Sequence, residues 1–76
     1  MTRKNYRALA KAYYGVLMRL DTPEGVEAWL DMVTHVARVL AEDNDRFSYD
    51  TFYRACGMAE AIGENALAEL LSGVAS

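Results

Sequence analysis

The sequence predicts a small all-α domain, and three observations lead there. Apolar residues recur three and four apart through most of the 76 residues, the spacing of a buried helix face. Two helix starts are written out in full, at Thr22 and at Ser48, residues whose side-chain oxygens satisfy free backbone N–H groups of a first turn. No stretch shows the strict apolar–polar alternation of a half-buried strand. The expected architecture is a three- to four-helix bundle built on an antiparallel helical hairpin. Residues 1–76 form one domain, with a core over about 2–57 and a helical extension over 58–76.

The first helix is expected over about 3–20, with Thr2 as its cap. At 100° per residue Tyr6, Leu9, Tyr13, Val16, Leu17 and Leu20 gather on one face. Gly15 lies inside it and costs about 1 kcal/mol against alanine unless another helix needs close approach there. The second helix starts at the Thr22 cap with Pro23 in the first helical position and Glu24 and Glu27 close behind. It is expected to run to about residue 41. Val26, Trp29, Leu30, Met32, Val33, Val36, Ala37, Val39 and Leu40 cover about half its circumference, wider than the usual stripe, with Glu27, Asp31, Thr34, His35, Arg38 and Glu42 opposite. That width predicts a central helix touching at least two neighbours. The brief Asp21–Thr22 link predicts that helices one and two pair antiparallel.

Residues 42–46 read as a polar connection. Residues 47–57 hold the most complete local signal in the chain. Ser48 is the cap, and Phe47 and Phe52 sit where a hydrophobic staple needs them. Asp50 faces the positive end of the helix dipole. Gly57 is placed to take the left-handed conformation that ends a helix, with Met58 folding back on Tyr53. Phe47, Tyr49, Phe52 and Tyr53 form an aromatic cluster expected to pin this helix to the first two. A last pattern over 59–71 buries Ile62, Ala66, Leu67, Leu70 and Leu71. Gly63 weakens it, so that the helix starts at 59 or only at 64, and fraying is expected from Ser72.

Composition bounds the function. A single domain this short buries about 60% of its unfolded surface and usually needs a staple or a partner. Cys56 is the only cysteine and His35 the only histidine, which excludes an internal disulfide and leaves too few ligands for structural zinc. Hydrophobic residues make up 53% of the chain, enough for a core. Tight packing or self-association must then supply the stability, and the broad face of the second helix favours a homodimer. No apolar run follows Arg3, Lys4 and Arg7 as a signal peptide requires, and none is long enough to cross a membrane. With the lone cysteine, a soluble, reducing, cytosolic setting is expected.

Charge is divided unevenly. Residues 1–20 carry five cations and no acid, whereas residues 21–76 carry three arginines against eleven acids. Arg3, Lys4, Arg7 and Lys11 fall within about a third of the first helix's circumference, and Tyr14 and Met18 continue that strip. Exposed aromatic and methionine side chains are typical of interface cores, so Arg3, Arg7, Lys11, Tyr14 and Met18 are the candidate partner-binding residues. The same strip could follow phosphates and stack a base. Against nucleic acid stand the acidic total and a third helix that offers only Arg54 as a cation. Asp43, Asn44, Asp45 and Asp50 lack the glycine and closing glutamate of a calcium loop and are expected to solvate a turn. His35 is four residues from Asp31 and has no nucleophile beside it. Cys56, on the side of Phe52, reads as a small core residue. No catalytic, cofactor or metal site is expected, and no enzyme activity.

The segments T-R-K-N-Y-R-A-L-A (2–10), A-E-D-N-D-R-F (41–47) and F-Y-R-A-C-G (52–57) resemble small bacteriophage and prophage proteins of actinobacterial hosts. Those share a T-R-K-x-aromatic start and an N-x-R-F-x-x-x-x-F-x-x-A-C-G finish. Here Asp45 stands in the place of a proline, and residues 58–76 run past the usual end. The resemblance implies a phage accessory product in the host cytoplasm and transfers no site residues. Together with the charge pattern it leads to a non-enzymatic interaction module that modulates a host or phage protein. The alternative is a nucleic-acid-associated regulator using the same strip.

Overall fold

Five helices and, among the described residues, no strand make up the chain: α1 (Arg3–Leu17), α2 (Pro23–Asp43), α3 (Tyr49–Cys56), α4 (Met58–Ile62) and α5 (Glu64–Val74). The computed structural model describes residues 3–74, Arg3 and Val74 by their backbone alone, so the Thr2 cap lies outside the described residues. The chain is a small all-α bundle, as its periodicity predicts.

The two local starts are formed as written. The Gly25 N–H donates to Thr22 Oγ1 at 3.0 Å, and the Thr51 N–H to Ser48 Oγ at 3.1 Å. Each bond satisfies one of the donors that a helix start leaves free. Gly57 closes α3 at φ +94°, and its N–H donates back to the Arg54 carbonyl. Met58 and Tyr53, on either side of that cap, are both buried.

The boundaries differ from expectation in α1, in α2 and along the C-terminal pattern. α1 ends at Leu17, because the next turn tightens: Arg19 N–H donates to Val16 O and Leu20 N–H to Leu17 O. That i→i+3 pattern narrows the last turn and swings Leu20 toward Gly25 beside the Thr22 cap. α2 runs two residues further, to Asp43, with the Asn44 N–H closing onto Leu40 O at 3.1 Å. The last pattern is two helices, divided at Gly63. Its φ of +88° and ψ of 159° belong to a region that is essentially glycine-only. α5 continues past Ser72 to Val74, and Ala75 and Ser76 lie outside the described residues.

Three contacts fix the hairpin as antiparallel. The Asn44 amide donates to Tyr6 Oη at 3.1 Å, the Trp29 indole N–H donates to Tyr13 O at 2.8 Å, and Leu20 lies against Gly25. Going up α1 means coming down α2.

The central helix is α3, which packs on α1, α2, α4 and α5. This corrects the expectation that α2 is the hub. α2 does touch both α1 and α3, but only Trp29, Val33, Ala37 and Leu40 are buried on it. Met32 and Val39 stay 52% and 63% exposed, so part of its broad apolar face looks outward. α3 achieves more with less: Phe52, Tyr53 and Cys56, three of its eight residues, are fully enclosed. Ring pairs extend the anchorage, edge-on from Tyr6 to Phe47 (5.6 Å between centroids) and from Phe47 to Tyr49 (5.4 Å), and tilted from Phe47 to Phe52 (5.5 Å). Such pairs contribute about 0.5–1.5 kcal/mol beyond their buried area. Ala10 and Leu17 enter this core from α1, and Met58 and Leu67 from the C-terminal segment.

Candidate functional site

The strip on α1 depends on how that helix is turned. Its buried centre is Ala10 and Leu17, and Val16, expected inside, is left outside at 41% exposure. The helix is rotated toward Tyr14 instead. The reason is Gly57: a Cβ there would stand 2.5 Å from Tyr14 Cδ1 and 2.9 Å from Leu17 Cδ2. The bare glycine therefore lets α1 settle directly onto the end of α3.

That rotation sorts the five candidates. Arg7, Lys11 and Met18 are exposed, Met18 to 68%. Tyr14 is shared, with one ring edge over Gly57 and 38% of its surface open. The Arg3 side chain lies outside the described residues. Lys4 is exposed and belongs to the same flank. Among the described residues no ion pair joins Lys4, Arg7 or Lys11 to a carboxylate.

Beside the strip, α1 and α3 with the connection between α2 and α3 enclose a groove of about 480 Å³. Arg7 and Arg46 rim it, Tyr6, Phe47 and Phe52 form aromatic wall, and Ser48 and Thr51 supply hydroxyls. Arg46 is held there by its own backbone, whose N–H donates to Asn44 Oδ1 at 3.0 Å while the Asn44 amide reaches Tyr6. The groove opens near the start of α3, where the helix dipole adds partial positive charge. It has the chemistry to hold a carboxylate between two guanidinium groups with an apolar neighbour against the rings. Arg46 was not among the candidate residues. Its only sequence signal is the Asn two positions earlier, a residue type that turns the chain by bonding its own backbone.

His35, Arg54 and Cys56 are engaged structurally. His35 Nδ1 lies 2.7 Å from the Asp31 carbonyl oxygen and 3.5 Å from its carboxylate, on the exposed side of α2. Arg54 donates to Asp50 at 2.6 Å and to both oxygens of Glu64 at 2.9 and 3.1 Å, tying α3 to the start of α5. Those bonds raise the guanidinium pKa further, the Asp50 bond first. Cys56 is fully enclosed, and burial pushes its thiol up to about 12. A neutral, enclosed thiol is a poor nucleophile. Among the described residues no group of three or more His, Cys, Asp or Glu side chains converges as a metal site would, and no helix is long and apolar enough to cross a membrane. Compared with known protein families, curated proteins and solved structures, the chain matches none.

Proposed function

We propose that this chain is a non-enzymatic interaction module, a phage accessory protein acting in the bacterial cytoplasm, that grips an acidic segment of a host or phage protein. One observation carries the reading. Lys4, Arg7 and Lys11 stand exposed and, among the described residues, without a carboxylate partner, beside a groove lined by Arg7, Arg46 and aromatic rings. A solvated face would not need the aromatic walls, and a packed core would not need the cations. A partner supplying acids and one apolar anchor satisfies both. Met18 and the open edge of Tyr14 extend the contact.

The same cations support the second reading, a nucleic-acid-associated regulator. The net charge of −3 weighs against it, since the acidic remainder of the chain repels phosphates.

The test uses Arg7→Glu with Lys11→Glu, leaving Tyr14 in place because its ring supports α1 on Gly57. Tagged wild type and variant are exposed to host lysate with and without nuclease, and any captured protein is then purified and titrated. The expected result is a protein that survives nuclease and binds the variant at least tenfold more weakly, about 1.4 kcal/mol. Equal binding by both would overturn the strip. Loss of capture on nuclease, with affinity falling steeply as salt rises, would replace the reading with the nucleic-acid one.

A further inference from the structure

A second groove lies on another side of the bundle, between α2 and the C-terminal helices. It is open to solvent, with a volume of about 1020 Å³. Ala28, Leu30, Ile62, Ala66 and Leu70 form its apolar floor, and Glu24, Glu27, Asp31 and Glu69 stand around it. An apolar trough with an anionic edge matches an amphipathic helix whose flanks are cationic and acid-free.

The chain itself presents such a helix. α1 contains Arg3, Lys4, Arg7 and Lys11 and no acid. Its outward face sets Lys4 and Lys11 beside Ala8, Ala12 and Gly15, all exposed. Those three small residues recur at helical spacing, so a neighbouring backbone can come close. Gly15 has nothing within 4 Å of where its Cβ would be, and inside one copy of the chain it has no packing reason. The two exposed cations of that face, Lys4 and Lys11, complement a groove edged by three acids of α2 and one of α5.

We infer that the α2–α5 groove seats the outward face of α1 from a second copy of this chain. Lys4 and Lys11 then approach the carboxylates of Glu24, Glu27, Asp31 and Glu69, while Ala8, Ala12 and Gly15 press on the apolar floor. Strip and groove are different surfaces, so the contact is heterologous and copies add head to tail. Each added copy hides one α1 face, and Lys11 belongs to both this contact and the partner strip. Self-association therefore competes with partner capture. The inference stands independently of the partner reading, because the groove residues take no part in that strip.

Sedimentation tests it on the intact chain over about a hundredfold range of concentration, where a mass-action assembly must reveal itself. The wild type is expected to grow in mass with concentration at low salt and to shrink at high salt, since exposed charge pairs are screened. Glu27→Lys with Glu69→Lys repels the incoming cations and is expected to stay monomeric. Lys4→Glu with Lys11→Glu does the same from the other side. Mixing the two variants restores attraction at both contacts and is expected to restore association. All four positions are exposed, and circular dichroism verifies that each variant keeps its helices. A wild type that stays monomeric throughout, association that survives both variants, or a mixture that stays monomeric would each overturn the proposal. The groove variant separates this proposal from the partner reading, because it must lose self-association while keeping any partner bound through Arg7.

Discussion

α3 and α1 stand at opposite ends of how a helix can be specified. The start, the end and the buried face of α3 have their reasons inside the chain: Ser48 starts it, Gly57 ends it, and Phe52, Tyr53 and Cys56 fill the core. Its one exposed cation, Arg54, is held by Asp50 and Glu64. α1 is accounted for on one side only. Ala10, Leu17 and the edge of Tyr14 meet the core, while Lys4, Arg7, Lys11 and Gly15 are exposed and, among the described residues, no carboxylate pairs with the three cations. The contrast separates two kinds of residue in a small protein, those that the fold requires and those that the fold tolerates. Functional residues are to be sought among the second kind.

The contrast breaks most severely at Gly57. Gly57→Ala puts an L side chain at φ +94° and a methyl carbon 2.5 Å from Tyr14 Cδ1. Left-handed strain costs about 1–3 kcal/mol and overpacking a similar amount. A domain of this size is stable by only about 4–11 kcal/mol. Chemical denaturation should therefore show a loss of about 2–5 kcal/mol, with α1 loosened from α3. A loss below about 1 kcal/mol would mean that α1 does not rest on this glycine.

A pH titration probes the enclosed side more gently. The Cys56 thiol lies at about 12 in the folded protein against an ordinary value of 9.0, so the unfolded chain releases that proton first. Below pH 9 both states hold the proton and stability is unaffected. Between about pH 9 and 12 each unit costs about 1.4 kcal/mol, and burial of Tyr53 and Tyr13, which raises their phenols, acts in the same direction. Denaturant midpoints should fall across that window, and Cys56→Ala should flatten the early part of the fall. A variant with an unchanged profile would place the thiol in contact with solvent.

How much could be read in advance follows the same division. The caps were legible because each is complete within four residues: Thr22 with Gly25, Ser48 with Thr51. The antiparallel hairpin was legible from its short link. The hub position of α3 was not, because apolar width on α2 counts residues without saying which reach the core, and Met32 and Val39 do not. The break at Gly63 was offered as one of two starts, and backbone conformation decided it. Of the candidate site, Arg7, Lys11 and Met18 are exposed as periodicity suggests. Tyr14 over Gly57, and Arg7 lining one groove with Arg46, depend on the rotation of α1 against α3. No local pattern encodes that angle.

The smallest effect sharpens the comparison from the tolerant side. Gly15 occupies the interior of α1, where glycine is about 1 kcal/mol less favourable than alanine. A methyl group there meets nothing within 4 Å, so Gly15→Ala adds helix propensity without a steric penalty. In dilute solution the variant should be more stable by about 1 kcal/mol, which in a domain of this size raises the melting temperature by about 4–8 °C. The same substitution at Gly57 goes the other way, though both are glycine-to-alanine changes at positions near α1. Gain at one and loss at the other would establish that α1 is fixed by its inner face alone. Loss at both would show that the outer face also carries a contact, and in dilute solution that contact would have to come from within the chain.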